Sequence, residues 1–162
     1  MDKRPLVEQL ASRLRAIAQS AERAGEVAAQ EAREGASPAE RRDDSRVALE
    51  YSSLAKGQAM RAERARAELA ELESMPLPKL GERDRIVVGA IVEVEDEEGG
   101  RTFFLAPVGA GEELTGPDGD GIILVVTPSS PVGKAVLAHR VGDSVDFVVR
   151  GEARELTITY VE

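Results

Sequence analysis

Glu40, Asp43 and Asp44 fall within a five-residue stretch, interleaved with Arg41, Arg42 and Arg46. Carboxylates this close together are hard oxygen donors of the kind that ligate Mg²⁺ or orient water on it. The same residues also suit a plainer purpose. Acids at the start of a helix cap its free N–H groups and complement the positive end of its dipole. The residues alone leave both readings open, and a mixed-charge run at a turn is ordinarily a solvated surface. Other chemistry is poorly supplied. There is no cysteine, which excludes disulfides, thiolate metal sites and cysteine nucleophiles. His139 is the single histidine and lies near the end of a short helical stretch, where a cation complements the dipole. No nucleophile elbow accompanies it, and no glycine pattern leads into Lys-Ser or Lys-Thr as a phosphate loop requires.

Two helices must position the acidic group. Val7, Leu10, Leu14, Ile17, Ala21, Ala24 and Ala28 alternate steps of three and four, a heptad seam. Pro5 suits the first turn, and Gly35, Ser37 and Pro38 end the run. A second seam comprises Ala48, Tyr51, Ala55, Gln58, Ala62, Ala65, Leu69 and Leu72, within a helix expected from about Ser45 to about Ser74. Two helices joined by a short polar turn pack antiparallel. Large residues (Leu10, Leu14, Ile17, Leu69, Leu72) sit far from the turn and alanines near it, so the layers toward the tip bury less apolar area. Each helix would reach about 45 Å.

Pro76 and Pro78 end this region in a stiff connector. Beyond it the period changes. Ile86–Val88, Ile91–Val94, Arg101–Leu105, Ile122–Thr127, Val145–Val149 and Leu156–Val161 read as strands, with turns at Glu98–Gly100 and Gly151. Residues 109–121 read as a loop, and Ser130–Arg140 as one short helix capped by Ser130. The expected architecture is α+β: an antiparallel coiled-coil hairpin over 1–75, a Pro-containing linker over 76–83, and over 84–162 a mainly antiparallel sheet with one helix.

The net charge of −9 is uneven. Residues 1–75 carry 13 Lys and Arg against 14 Asp and Glu, whereas residues 76–162 carry 8 against 16. The second half would repel nucleic-acid phosphates, so a basic protein surface is the better partner. No apolar run approaches the roughly 18–20 residues of a membrane span, and residues 1–10 lack the apolar stretch of a signal peptide. A cytoplasmic protein without a membrane partner is expected.

Thr127 to Asp143, TPSSPVGKAVLAHRVGD, resembles the SPLGRALLGKKVGDEV stretch of the Gre transcript-cleavage factors (GreA/GreB). Val88 to Asp96 resembles that family's GATVTLED strand, and Gly151 to Glu155 with the closing strand resembles its GGEREYEIL ending. Glu31 to Glu34 matches EARE before the family's hairpin tip, and Ala48 to Tyr51 matches NAEY after it. The resemblance implies an FKBP-like fold for 84–162 and a polymerase-docking role. It also implies that the hairpin enters the secondary channel of bacterial RNA polymerase, meeting the RNA 3′ end only indirectly. In active members the tip reads D-x-x-E-N-A-E-Y, whose acids hold a Mg²⁺ shared with the polymerase and orient water for cleavage of backtracked RNA.

Aligned on Tyr51, the family Asp falls on Asp44 and the family Glu on Val47, which cannot ligate a cation. Asp43 with Asp44, or Glu40 with Asp44, is then the candidate pair. The expected function is a monomeric accessory factor, with no stably bound cofactor, that stimulates cleavage by the polymerase. The alternative is a cleavage-inactive factor that occludes the channel. A prolyl isomerase is a remote third reading, since the domain's aromatics are only Phe103, Phe104, Phe147 and Tyr160. A generic coiled-coil adaptor is a fourth.

Overall fold

The computed structural model describes residues 2–34, 43–117, 119 and 121–162. Helix α1 (Arg4–Glu34) and helix α2 (Asp43–Glu73) are followed by strands β1 (Ile91–Asp96), β2 (Gly99–Leu105), β3 (Glu113–Thr115) and β4 (Ile122–Val126), helix α3 (Pro131–Val136), and strands β5 (Ser144–Val149) and β6 (Glu152–Val161). The chain divides into two compact units, Ala11–Ala70, and Met1–Leu10 with Glu71–Glu162. Among the described residues no helix is long and apolar enough to cross a membrane.

The first unit is the helical hairpin. Its α2 seam is the expected one: Ala62 and Ala65 are buried, and Ala48, Tyr51, Ala55, Gln58 and Leu69 are half-buried. The α1 seam keeps Leu10, Leu14, Ala21 and Ala28 buried and Val7 half-buried, and departs from expectation at two positions. Ala18 and Gly25 turn inward where Ile17 and Ala24 were expected, Ile17 being 36% exposed and Ala24 exposed. The seven-residue repeat itself is kept, with Leu14, Ala21 and Ala28 all buried. The smaller residues on the adjacent stripe then let the helices approach. A Cβ on Gly25 would lie 3.4 Å from the Cβ of Gln58 and 3.6 Å from the Ala55 carbonyl oxygen. Beside this contact Glu22 pairs with Arg66 across the two helices.

The second unit is built on one six-stranded sheet in the order β3-β4-β2-β1-β6-β5. The pairs β1–β2, β1–β6, β3–β4 and β5–β6 are antiparallel, in keeping with the mainly antiparallel sheet expected, but β2 and β4 run parallel. The sheet is therefore mixed, because the connection from β2 crosses over through β3 rather than turning back as a hairpin. Three further expectations are corrected. Ile86–Val88 is not a strand; Ile86 instead exchanges backbone hydrogen bonds with Ala138 and His139 (both 2.8 Å). The loop at 109–121 contains the short edge strand β3. The third helix ends at Val136, so His139 lies beyond it rather than on its last turn.

One face of the sheet packs on α3 through Val92, Val94, Phe103, Leu105, Val126, Val136, Phe147, Leu156 and Ile158. Alternation and register put Ile91, Phe104, Val125, Ile123 and Leu114 on the opposite face, where all are buried as well. Residues from the ends of the helices cover them. Leu6, Leu10 and Leu72 are buried in this unit. A Cβ on Gly109 would lie 2.9 Å from Leu10 Cδ2 and 3.7 Å from Val125 Cγ1. Gln9 closes the edge of β3 by donating to the Thr115 carbonyl and accepting from its N–H, both at 2.9 Å.

Candidate functional site

The acidic tip is built by the start of α2. That helix begins at Asp43, two residues earlier than expected, so Asp43 and Asp44 occupy its first turn. That first turn carries the positive end of the helix dipole. The side chains of Asp43 and Asp44, and Glu40 altogether, lie outside the described residues. Helical spacing aligns position 44 with Ala48 and Tyr51 on the seam, and position 43 with Val47 and Glu50 on the outer face.

The following turns of α2 are described in full. Val47 is 42% exposed and Leu49 71% exposed, so the residue at the family's Glu position is an apolar side chain facing solvent. Arg46 pairs with Glu50 at 3.5 Å, and near the end of α1 Gln30 donates to Glu34 at 2.9 Å. Tyr51 is half-buried on the seam, consistent with a packing role. Among the described residues no three Asp, Glu, His or Cys side chains gather as a metal site.

The segment that carries the family resemblance, Thr127 to Asp143, is more fully defined. Ser130 caps α3: its hydroxyl accepts from the Gly133 N–H at 3.1 Å and donates to the Thr127 carbonyl at 2.8 Å. Gly133 is obligatory here, because a Cβ would run into the Thr127 carbonyl. His139 lies 3.2 Å from Asp143, whose carboxyl is held below the usual range first by the Arg140 backbone N–H and then by His139. That pair is exposed and closes the turn before β5; nothing there aligns a nucleophile.

Sequence reasoning missed Lys3. Its side chain is buried, 4% exposed, and Nζ donates to the carbonyls of Pro78 (2.6 Å) and Gly89 (3.0 Å). Burial pushes its pKa down to about 8. A Lys near a chain start normally reads as solvated, and no sequence signal marked this one.

Residues 81–162 match the family model described as transcription elongation factor, GreA/GreB, C-terminal. Among solved structures, the chain is similar to the GreA factor homolog 1 (Gfh1) protein of Thermus thermophilus at 24% identity and TM-score 0.37, covering 96% of this chain and 92% of that one. It is similar to Thermus aquaticus Gfh1 at 20% identity and TM-score 0.38, with the same coverage. A GreA/GreB elongation factor from Nitrosomonas europaea matches at 17% identity and TM-score 0.33, over 72% of this chain and 90% of that one. No curated protein sequence matches it. With a helical hairpin joined to a mixed sheet bearing one helix, and half of its residues matched by the family model, the chain belongs to the GreA/GreB family of transcription elongation factors.

Proposed function

We propose that this chain is a monomeric cytoplasmic factor that binds bacterial RNA polymerase at the secondary channel and stimulates cleavage of backtracked RNA. The observation that carries the reading is the start of α2 at Asp43, which gives two adjacent acids to the turn end of the hairpin. Asp43 and Asp44, with Glu40, are hard oxygen donors, the chemistry a Mg²⁺ shared with the polymerase accepts. Such an ion supplies charge stabilisation and a more acidic water. The chain's own carboxylates orient that water and hold its proton while the polymerase performs the hydrolysis. In this reading the hairpin contributes position and charge, and the chain is not itself an enzyme.

The test is a cleavage assay on stalled elongation complexes carrying end-labelled RNA. The chain shortens the RNA from its 3′ end, and the Asp43→Ala/Asp44→Ala variant loses at least about ten-fold in rate, the loss expected when positioned acid–base groups are removed. Full activity in the variant would rule out these acids. One observation favours a second reading. Val47 is exposed where active members carry the glutamate, which suits a tip that occludes the channel without promoting cleavage. In that case transcripts keep their length while nucleotide addition slows, and Val47→Glu confers cleavage.

A further inference from the structure

We propose that the outer edge of β5 receives an extended segment of the polymerase as an added strand, one that carries a lysine or arginine and, two residues along, an apolar side chain. The inference rests on the polymerase reading above and adds a docking contact on the second unit.

The two edges of the sheet differ in how they end. At β3 the edge is three residues long and Gln9 closes it. β5 is six residues long and pairs only with β6, in a register without a shift. It contains no lysine, no proline and no bulge, the usual means of blunting an edge. Arg150 and Gly151 alone join β5 to β6, both at positive φ (54° and 84°), the two-residue turn that holds such a ribbon in register. A turn of this kind is closed by a hydrogen-bonded pair. The backbones of Val145, Phe147 and Val149 therefore bond to β6, and Ser144, Asp146 and Val148 send their N–H and carbonyl groups outward. Among the described residues no backbone or side-chain group meets them.

Backbone and side chains together define what fits. Only another extended chain presents donors and acceptors at the spacing of a strand. Asp146 stands directly opposite Glu155 in the β5–β6 ladder; both are exposed, and among the described residues neither has an ion pair. Like charges at opposed positions destabilise a ladder. A lysine or arginine on an incoming strand, beside Asp146, neutralises that pair. Two residues on and on the same face, Val148 is 61% exposed and offers apolar surface to its neighbour. A second copy of this chain is the poorer occupant, because it brings the same acids on the same edge and a net charge of −9.

The test follows hydrogen–deuterium exchange of segment 144–149 in the full chain, alone and bound to core RNA polymerase, with affinity measured on fluorescently labelled chain. Binding should slow exchange of the three outward amides by at least about ten-fold. Val148→Pro removes one outward N–H and leaves the ladder to β6 intact. Asp146→Lys reverses the edge charge and pairs with Glu155, so its melting temperature should hold or rise while its binding falls. Each variant should weaken binding by roughly ten-fold, the Asp146→Lys loss shrinking as salt is added. The exchange measurement is made on the unmodified chain, so it decides the matter even where Val148→Pro lowers stability. Binding that leaves 144–149 exchanging at the unbound rate overturns the edge contact and leaves the polymerase reading standing, and so does full affinity in Asp146→Lys. If the unmodified chain fails to bind polymerase, the polymerase reading itself falls and takes this contact with it.

Discussion

Lys3 shows how much one residue can contribute that its neighbours in sequence do not announce. Its ammonium is buried against two backbone carbonyls, and no carboxylate pairs with it among the described residues. Folding lowers its pKa from 10.5 to about 8 because burial disfavours the charged form. Between those two values the unfolded chain binds more protons than the folded chain, so this residue's contribution to stability rises with pH across that window. Below pH 8 the residue is charged in both states, and the burial cost is at its full, constant value. The comparison that isolates it is Lys3→Met, followed by thermal unfolding from pH 7 to pH 10. The difference in melting temperature, wild type minus variant, should grow in favour of wild type above pH 8. A difference that stays flat would mean the amine titrates normally. The tip acids make a contrast at the same scale. Their type and spacing were legible in the sequence, whereas the pairing of Lys3 depends on Pro78 and Gly89, far along the chain, and no local pattern encodes it.

Among the elements, the hairpin and the sheet differ in how far periodicity determines them. The α2 seam follows the sequence, since the helix presents one stripe of mostly small and apolar residues from Ala48 to Leu72, interrupted only by Gln58. The α1 seam departs from the sequence pattern only at Ile17 and Ala24, where close approach at Gly25 favours the smaller neighbouring residues. The two hairpin glycines should therefore respond oppositely to substitution. Gly57 meets nothing within 4 Å of an added Cβ, so Gly57→Ala should stabilise the helix by about 0.5–1 kcal/mol. Gly25→Leu forces the helices apart and should cost about 1–3 kcal/mol. Chemical denaturation of both variants checks the pair; equal effects would place Gly25 off the interface. In the sheet, the alternating strands β1 and β6 and the Ser130 cap were legible. Ile86–Val88 was misread because a β-branched run marks a preference for extended backbone, not the presence of a pairing strand. Edge strand β3 was hidden in a Gly- and Asp-rich loop, and the parallel β2–β4 pair depends on a crossover that strand patterns do not specify.

For the whole molecule, the division of the chain by sequence and its division by packing are not the same. The family model begins at residue 81, and the sheet with α3 lies wholly within its span. Yet the face carrying Ile91, Phe104, Ile123, Val125 and Leu114 is completed by residues before that start. Each buried leucine contributes about 1.5–3 kcal/mol. Leu6, Leu10 and Leu72 together therefore approach the entire net stability of a small domain, about 5–15 kcal/mol. Gln9 adds the cover for the β3 edge, which would otherwise present free backbone groups for aggregation. It follows that a fragment of residues 81–162 should not hold the native fold alone. It should bind a hydrophobic dye, show poor amide dispersion by NMR, and lose the cooperative melt of the full chain. Leu10→Ala in the full chain should act in the same direction with a smaller effect, about 2–5 kcal/mol, because it empties one site on that face and leaves the rest covered. A fragment that melts cooperatively at the temperature of the full chain would show that the sheet needs no cover from the helix ends, and the buried leucines would then have to be stabilising the hairpin instead.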